Sequence, residues 1–182
     1  MNEQAPSSQT GRKVFICSGE TSGEQYGALL ARELLRREPD LSLEGIGGSR
    51  MREAGVQLLR DCEDLAVVGL TEVLANLNTI RAAFQATVSH IRTSKPDAVV
   101  LIDYPGFNLR LAKRVHGMGI PVIYYICPQI WAWKTARVHK LAEYCEKLLV
   151  VFGFEKDFIE SFGYEAVHVA HPLLDLLDFE AS

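Results

Sequence analysis

Apolar and polar positions along this chain switch between two periods, and the switches mark out its elements. Residues 98–102, Ala98-Val99-Val100-Leu101-Ile102, form an unbroken apolar run. That is the pattern of a strand covered on both faces, and hence of a parallel sheet. Residues 13–17, 121–126 and 147–151 are similar aliphatic, β-branched or aromatic runs, and residues 41–46 alternate. Shorter strands are expected at 56–59 and 166–169. Helical spacing fills the gaps. Tyr26, Leu29, Leu30 and Leu34 share one face of a helix predicted to reach about Arg37, where Pro39-Asp40 ends it. A short helix is expected at 51–54, closed by Gly55. Leu70, Val73, Leu74, Leu77, Ile80, Phe84, Val88 and Ile91 fit one helical stripe, with a break expected at Asn76 and Asn78 that makes two helices of it. A basic amphipathic helix is predicted at 109–117, and another helix at 156–162, stopped by Gly163.

Strands alternating with helices predict a doubly wound, Rossmann-like α/β fold with a parallel sheet. In such sheets ligands bind outside the carboxyl ends of the strands. Residues of unexpected chemistry collect at those ends: Glu20, Ser22, Gly47, Gly48, Asp103, the loop Pro128-Gln129-Ile130-Trp131-Ala132-Trp133, Glu155 and His171. They are expected to line one edge as a single site. The first turn, Ser18-Gly19-Glu20-Thr21-Ser22-Gly23-Glu24, contains glycine before a helix, with Ser22 a candidate N-cap and Gly23 allowing close backbone approach. It is not a dinucleotide fingerprint, and Glu20 and Glu24 would repel a phosphate, so a hydroxyl-rich ligand fits it at least as well. Asp103 directly follows a central strand, where such enzymes keep a general base; Pro105 and Gly106 argue for a loop at 103–108 and against a helix cap. The tryptophan loop either caps the core or lines the site. Residues 67–77 form either a core-facing stripe or an exposed patch for acyl chains or membrane.

Charge adds one feature. The 182 residues carry a formal charge of −4, which argues against broad nucleic-acid binding. Yet no Asp or Glu occurs from Tyr104 to Ala142, where Arg110, Lys113, Arg114, Lys134, Arg137 and Lys140 fall. Such a segment is either a solvated basic face or a positive field suited to an anionic ligand or lipid surface. After Trp133, Lys134, Arg137 and Lys140 share a helix face; cations on the first turns oppose the helix dipole, a conflict that points to a role such as gripping a phosphate. Cys17, Cys62, Cys127 and Cys145 are scattered without a metal or redox spacing, so reduced thiols in a cytosolic protein are expected. Neither a membrane span nor an apolar signal core is evident, and residues 1–12 read as a disordered tail before one domain at 13–182.

Five segments then carry a resemblance. Gly19-Glu20-Thr21-Ser22-Gly23, Ile102-Asp103-Tyr104-Pro105-Gly106-Phe107-Asn108, the 128–133 loop, Phe154-Glu155-Lys156 and His171-Pro172-Leu173 stand in the order found in lipid-A-disaccharide synthases. The chain resembles the N-terminal, acceptor-side half of those inverting GT-B glycosyltransferases, without their second domain. The resemblance implies transfer of a 2,3-diacylglucosamine from its UDP derivative to 2,3-diacylglucosamine 1-phosphate, releasing UDP, with no metal or cofactor. It implies an enzyme peripheral on the inner face of the inner membrane, at an anionic surface. Asp103 matches the proposed base for the acceptor hydroxyl. Glu20, Ser22, Gly23, Asn108, Trp133, Arg137 and His171 match substrate-binding positions, Arg137 as a phosphate contact. Val67, Val68, Val73, Leu74 and Leu77 match the segment implicated in acyl-chain or membrane contact. The chain departs from the pattern at Glu24 (usually Asp), Cys127 (Ser), Gly153 (Pro) and Ala170 (Gly). A reaction of this type closes two domains over the cleft, so activity is expected to depend on a missing C-terminal half or a homo-oligomer. Two other readings remain: a non-catalytic lipid or membrane-surface module, and another nucleotide-sugar enzyme on the same fold, such as an epimerase-like protein.

Overall fold

The computed structural model describes residues 11–62, 70–128 and 137–172, with side chains throughout except at 21 and 70–77. Its centre is a parallel sheet. β1 (Lys13–Ser18), β2 (Ser42–Gly47), β3 (Gln57–Asp61), β4 (Ala98–Ile102), β5 (Val122–Tyr125), β6 (Lys147–Val150) and β7 (Val167–His168) lie in the order β3-β2-β1-β4-β5-β6-β7. All seven predicted strands are present. The chain runs outward from β1 through β2 to β3, then returns to place β4 on the other side of β1. β1 and β4 thus flank the topological switch point, with Ser18 opposite Ile102 at their carboxyl ends.

Alternation along each strand divides the core between two faces. Phe15, Cys17, Val99, Leu101, Val122 and Tyr124 pack on one side with α3 (Leu70–Ser94), α4 (Pro105–His116) and α5 (Arg137–Tyr144). Ile16, Leu43, Val100 and Ile102 pack on the other with α1 (Thr21–Arg37) and α2 (Ser49–Glu53). A sixth helix, α6 (Gly153–Glu160), follows β6 and contributes Ile159 to the first face. Both faces being covered is why the central strands read as continuous apolar runs.

The short helix expected at 51–54 starts earlier, at Ser49, and the strand expected at 56–59 runs over Gln57–Asp61. Four further differences have a local reason. α3 is continuous through Asn76 and Asn78. An Asn inside a helix costs less than about 0.7 kcal/mol, and burial of Ala83, Val88 and Ile91 offsets it. α4 begins at Pro105, not after Asn108: proline's fixed φ and missing N–H suit the first helical position. Residues 103–108 are therefore not a loop. α1 begins at Thr21 with Glu20 at the cap position, so Ser22 lies inside the helix and is not its N-cap. α6 begins at Gly153, because Glu155 reaches back to accept the Phe152 N–H at 3.3 Å. At the start of the chain, the Ser42 N–H donates to the Arg12 carbonyl at 2.9 Å, which ties residue 12 to β2; residues 1–10 of the expected tail lie outside the described residues.

Candidate functional site

The switch point brings two strand exits together. From β1, buried Ser18 donates its hydroxyl to the Glu20 carbonyl at 3.2 Å. Gly23, one turn into α1, lies so close that a Cβ there would sit 2.7 Å from the Ser18 oxygen. Close helix–strand packing is thus what Gly23 permits. Gly19 has a different partner: any Cβ would enter the ring of Tyr104.

From β4, the chain passes through Asp103 at φ 44° and Tyr104 at φ 47°, two consecutive non-glycine residues in the left-handed region. Each such residue costs about 1–2 kcal/mol, and strain of this kind persists where surrounding contacts over-determine it. The contacts are present. The Asp103 carbonyl accepts the Tyr124 hydroxyl at 2.7 Å and the Asn108 Nδ2 at 2.8 Å, and the same amide reaches the Ile102 carbonyl at 3.1 Å. Two carbonyls facing one amide fix its orientation, since the flipped amide would set oxygen against oxygen. The Tyr104 ring stacks on Phe107 (5.9 Å, 28°), and Phe107 meets Phe84 of α3 edge-on at 5.3 Å. The N–H groups of Phe107 and Asn108 donate to the Tyr104 carbonyl and open α4.

Electrostatics single out the same corner. Burial raises the Asp103 carboxyl above the ordinary Asp range, and the Tyr104 backbone N–H, which favours the charged form, partly offsets this. Burial also raises Glu20, and the negative charge of Asp103 raises it further. Tyr104 is raised by burial first, then by the charge of Glu20. Glu20, Asp103 and the Tyr104 phenol therefore interact across the junction of β1 and β4. Perturbed acids grouped at a strand-end crevice are a candidate catalytic arrangement.

Glu24 has a separate task. Its buried carboxylate accepts the Arg50 N–H at 2.7 Å, and Gly48 leaves room for it, since a Cβ there would lie 2.6 Å from the carboxylate. At the β6 exit the exposed rings of Phe152 and Phe154 stack at 5.6 Å. His171 packs against Phe152 (5.8 Å) and edge-on to Tyr26 of α1 (5.8 Å), which brings the segment after β7 to α1.

Glu20, Gly23 and Asp103 thus meet at the switch point, with Ser22 beside them in the first turn of α1. His171 reaches α1 from the other end of the sheet. Asn108 is fully buried, with its amide on the backbone beneath the site. Arg137 is the first residue of α5, half-buried. Trp131, Trp133, Lys134, Val67 and Val68 lie outside the described residues, and Val73, Leu74 and Leu77 are placed only as residues of α3. Among the described residues, no cluster of three or more His, Cys, Asp or Glu side chains could hold a metal ion. Tyr104, Tyr124 and Gly19 were not anticipated. Tyr124 left a faint signal: a phenol inside an apolar strand needs a buried hydrogen-bond partner.

Fold and site together define a doubly wound Rossmann-like domain with an acidic site at its topological switch point. A protein-family model described as lipid-A-disaccharide synthetase matches residues 14–182. The chain belongs to that family. It is 47% identical over 166 residues to the lipid-A-disaccharide synthase of Geobacter sulfurreducens, covering 91% of this chain and 43% of that protein. It is also 47% identical over 163 residues to lipid-A-disaccharide synthase 1 of Legionella pneumophila, covering 89% and 42%. The chain therefore spans less than half the length of these relatives. A solved UDP-GlcNAc 2-epimerase from Neisseria meningitidis shares the fold, with a TM-score of 0.59 at 13% identity over 86% of this chain and 45% of that one.

Proposed function

We propose that this chain supplies the acceptor-side domain of a lipid-A-disaccharide synthase, with Asp103 as general base. The observation that carries the reading is the half-buried Asp103 carboxylate on a strained backbone at the switch point. In the proposed reaction the carboxylate takes the proton of the acceptor 6-hydroxyl as that oxygen attacks the anomeric carbon of the UDP-linked 2,3-diacylglucosamine. The bond to UDP breaks, UDP leaves with the electron pair, and configuration inverts. The acceptor is 2,3-diacylglucosamine 1-phosphate. Glu20, Ser22, Gly23 and His171 lie on the edges that would face it, and Arg137 and Trp133 are proposed ligand contacts. A full-length protein carrying this segment is expected to form lipid A disaccharide 1-phosphate and UDP from these substrates, read by thin-layer chromatography of labelled acceptor. A pure, folded full-length protein that gives no disaccharide would overturn the reading.

The membrane part of the proposal is a peripheral enzyme on the cytoplasmic face of the inner membrane. No described helix is long and apolar enough to cross a membrane. Support comes from the acid-free basic stretch at 104–142 and the apolar residues of 67–77. The chain is expected to float with anionic vesicles, and Val73→Ser with Leu74→Ser to weaken that association at least tenfold. Burial of one such side chain contributes about 1.5–3 kcal/mol, against roughly 1.4 kcal/mol for a factor of ten. Flotation unchanged by the double substitution would remove these residues from the contact.

A further inference from the structure

We propose that Tyr124 and Asn108 are positioning residues that aim the Asp103 carboxylate by holding the far end of the peptide unit linking Asp103 to Tyr104. That peptide is a rigid planar group whose C=O and N–H point in opposite directions. Its carbonyl is gripped from the core by the Tyr124 hydroxyl at 2.7 Å and the Asn108 amide at 2.8 Å. Its N–H, on the opposite edge, favours the charged form of the Asp103 carboxylate. Fixing one edge of the plane fixes the other. Both grips come from side chains with no accessible surface, one on β5 and one on α4, so two elements set the plane independently.

Register explains why the β5 residue is a tyrosine. Tyr124 stands opposite Leu101, two residues short of Asp103. At that offset the phenol oxygen lies 2.7 Å from the Asp103 carbonyl and supplies the donor that a phenylalanine ring lacks. Burial holds Tyr124 far above its ordinary range, so it remains a donor whenever the carboxylate is charged. Asn108 serves its carbonyls from the first turn of α4, next to the left-handed pair whose strain the grip must hold. The titratable groups that interact with the carboxylate are Glu20 from the first turn and Tyr124 on β5, beside Tyr104 of its own segment; the buried thiols of Cys17, Cys127 and Cys145 act on Tyr124.

This inference builds on Asp103 as base, but its test reads the carboxyl itself and holds whether or not Asp103 acts in turnover. In the 182-residue chain, the Asp103 side-chain carbon and the Tyr104 amide are followed by NMR across acidic to neutral pH. The two are expected to share one midpoint, and to keep sharing one in Glu20→Gln, which removes the neighbouring acid. Tyr124→Phe is expected to raise that midpoint by about 0.5–1 pH unit, roughly half the worth of one hydrogen bond to the charged form, and to reduce the amplitude at the Tyr104 amide. A merely structural hydroxyl would lower thermal stability and leave the midpoint in place. An unmoved midpoint in folded Tyr124→Phe overturns the proposal. So does a wild-type Tyr104 amide that does not titrate with Asp103, a result that requires no variant to fold.

Discussion

Asp103→Asn, in a full-length protein carrying this segment, is expected to lower disaccharide formation by about 10²–10⁴-fold, the usual contribution of a positioned general base. Asparagine is the informative replacement because of the backbone. Residue 103 sits at φ 44°, a region that Asn and Asp visit more readily than other side chains, so the turn should survive and only the proton acceptor is lost. Circular dichroism, and thermal unfolding at acidic pH where Asp103 is protonated, should match the parent, separating lost chemistry from lost fold. The pH profile provides a second arm. A base must be ionised, so activity falls as pH drops through its midpoint. Burial raises that midpoint, and the acid limb should therefore lie above the ordinary Asp range. The stability sign is opposite to that of a salt-bridged acid. A carboxyl whose folded midpoint exceeds its unfolded one favours the native state when protonated, and that contribution is lost as pH rises from the ordinary value through the raised one. Asp103→Asn should flatten this slope. Retained turnover in folded Asp103→Asn would sink the base assignment.

Leu111→Ala is expected to cost about 2–5 kcal/mol, the range for a fully buried leucine truncated in a close-packed core. Leu111 has no accessible surface and belongs to the cluster that joins α4 to Tyr124, Val138 and Leu141. For a domain of this size the loss corresponds to a fall in Tm of roughly 4–20 °C, read by circular dichroism. Stability of small domains is typically about 5–15 kcal/mol, so the variant approaches unfolding at growth temperature. The neighbouring exposed Arg110→Ala should stay within about 0.5 kcal/mol of the parent. Equal effects from the two would show that α4 is not seated on the core as described. Since α4 carries Asn108 and starts at the strained turn, loosening it also loosens the site.

Why some features were legible and others not is clearest at the two exits. Asp103 and Glu20 stand in the sequence as acids directly after apolar runs, and the parallel sheet lays adjacent exits side by side. That Asp103 would be held by Tyr124 was not legible, because the contact depends on the β4–β5 register, 21 residues apart in sequence. Gly19 was equally hidden: its need for no side chain comes from a ring 85 residues later. The misplaced starts of α4 and α6 share a cause. Pro105 and Gly106 read locally as breakers, and the helix after β6 was expected only from 156, yet proline and glycine are tolerated in a first helical turn, where few intrahelical donors are required.

The sequence by itself determined the alternation of strands and helices, the parallel character of the sheet and the side on which its unusual residues emerge. Period and composition are local properties, and burial on both faces leaves its mark residue by residue. The tertiary structure alone decided which exits became neighbours and which buried side chains hold the Asp103–Tyr104 turn. Those follow from strand order and register, where free energy depends on contacts between distant segments. At the switch point the two meet: a carboxylate that the chain announces, and a grip on its peptide that only folding assembles.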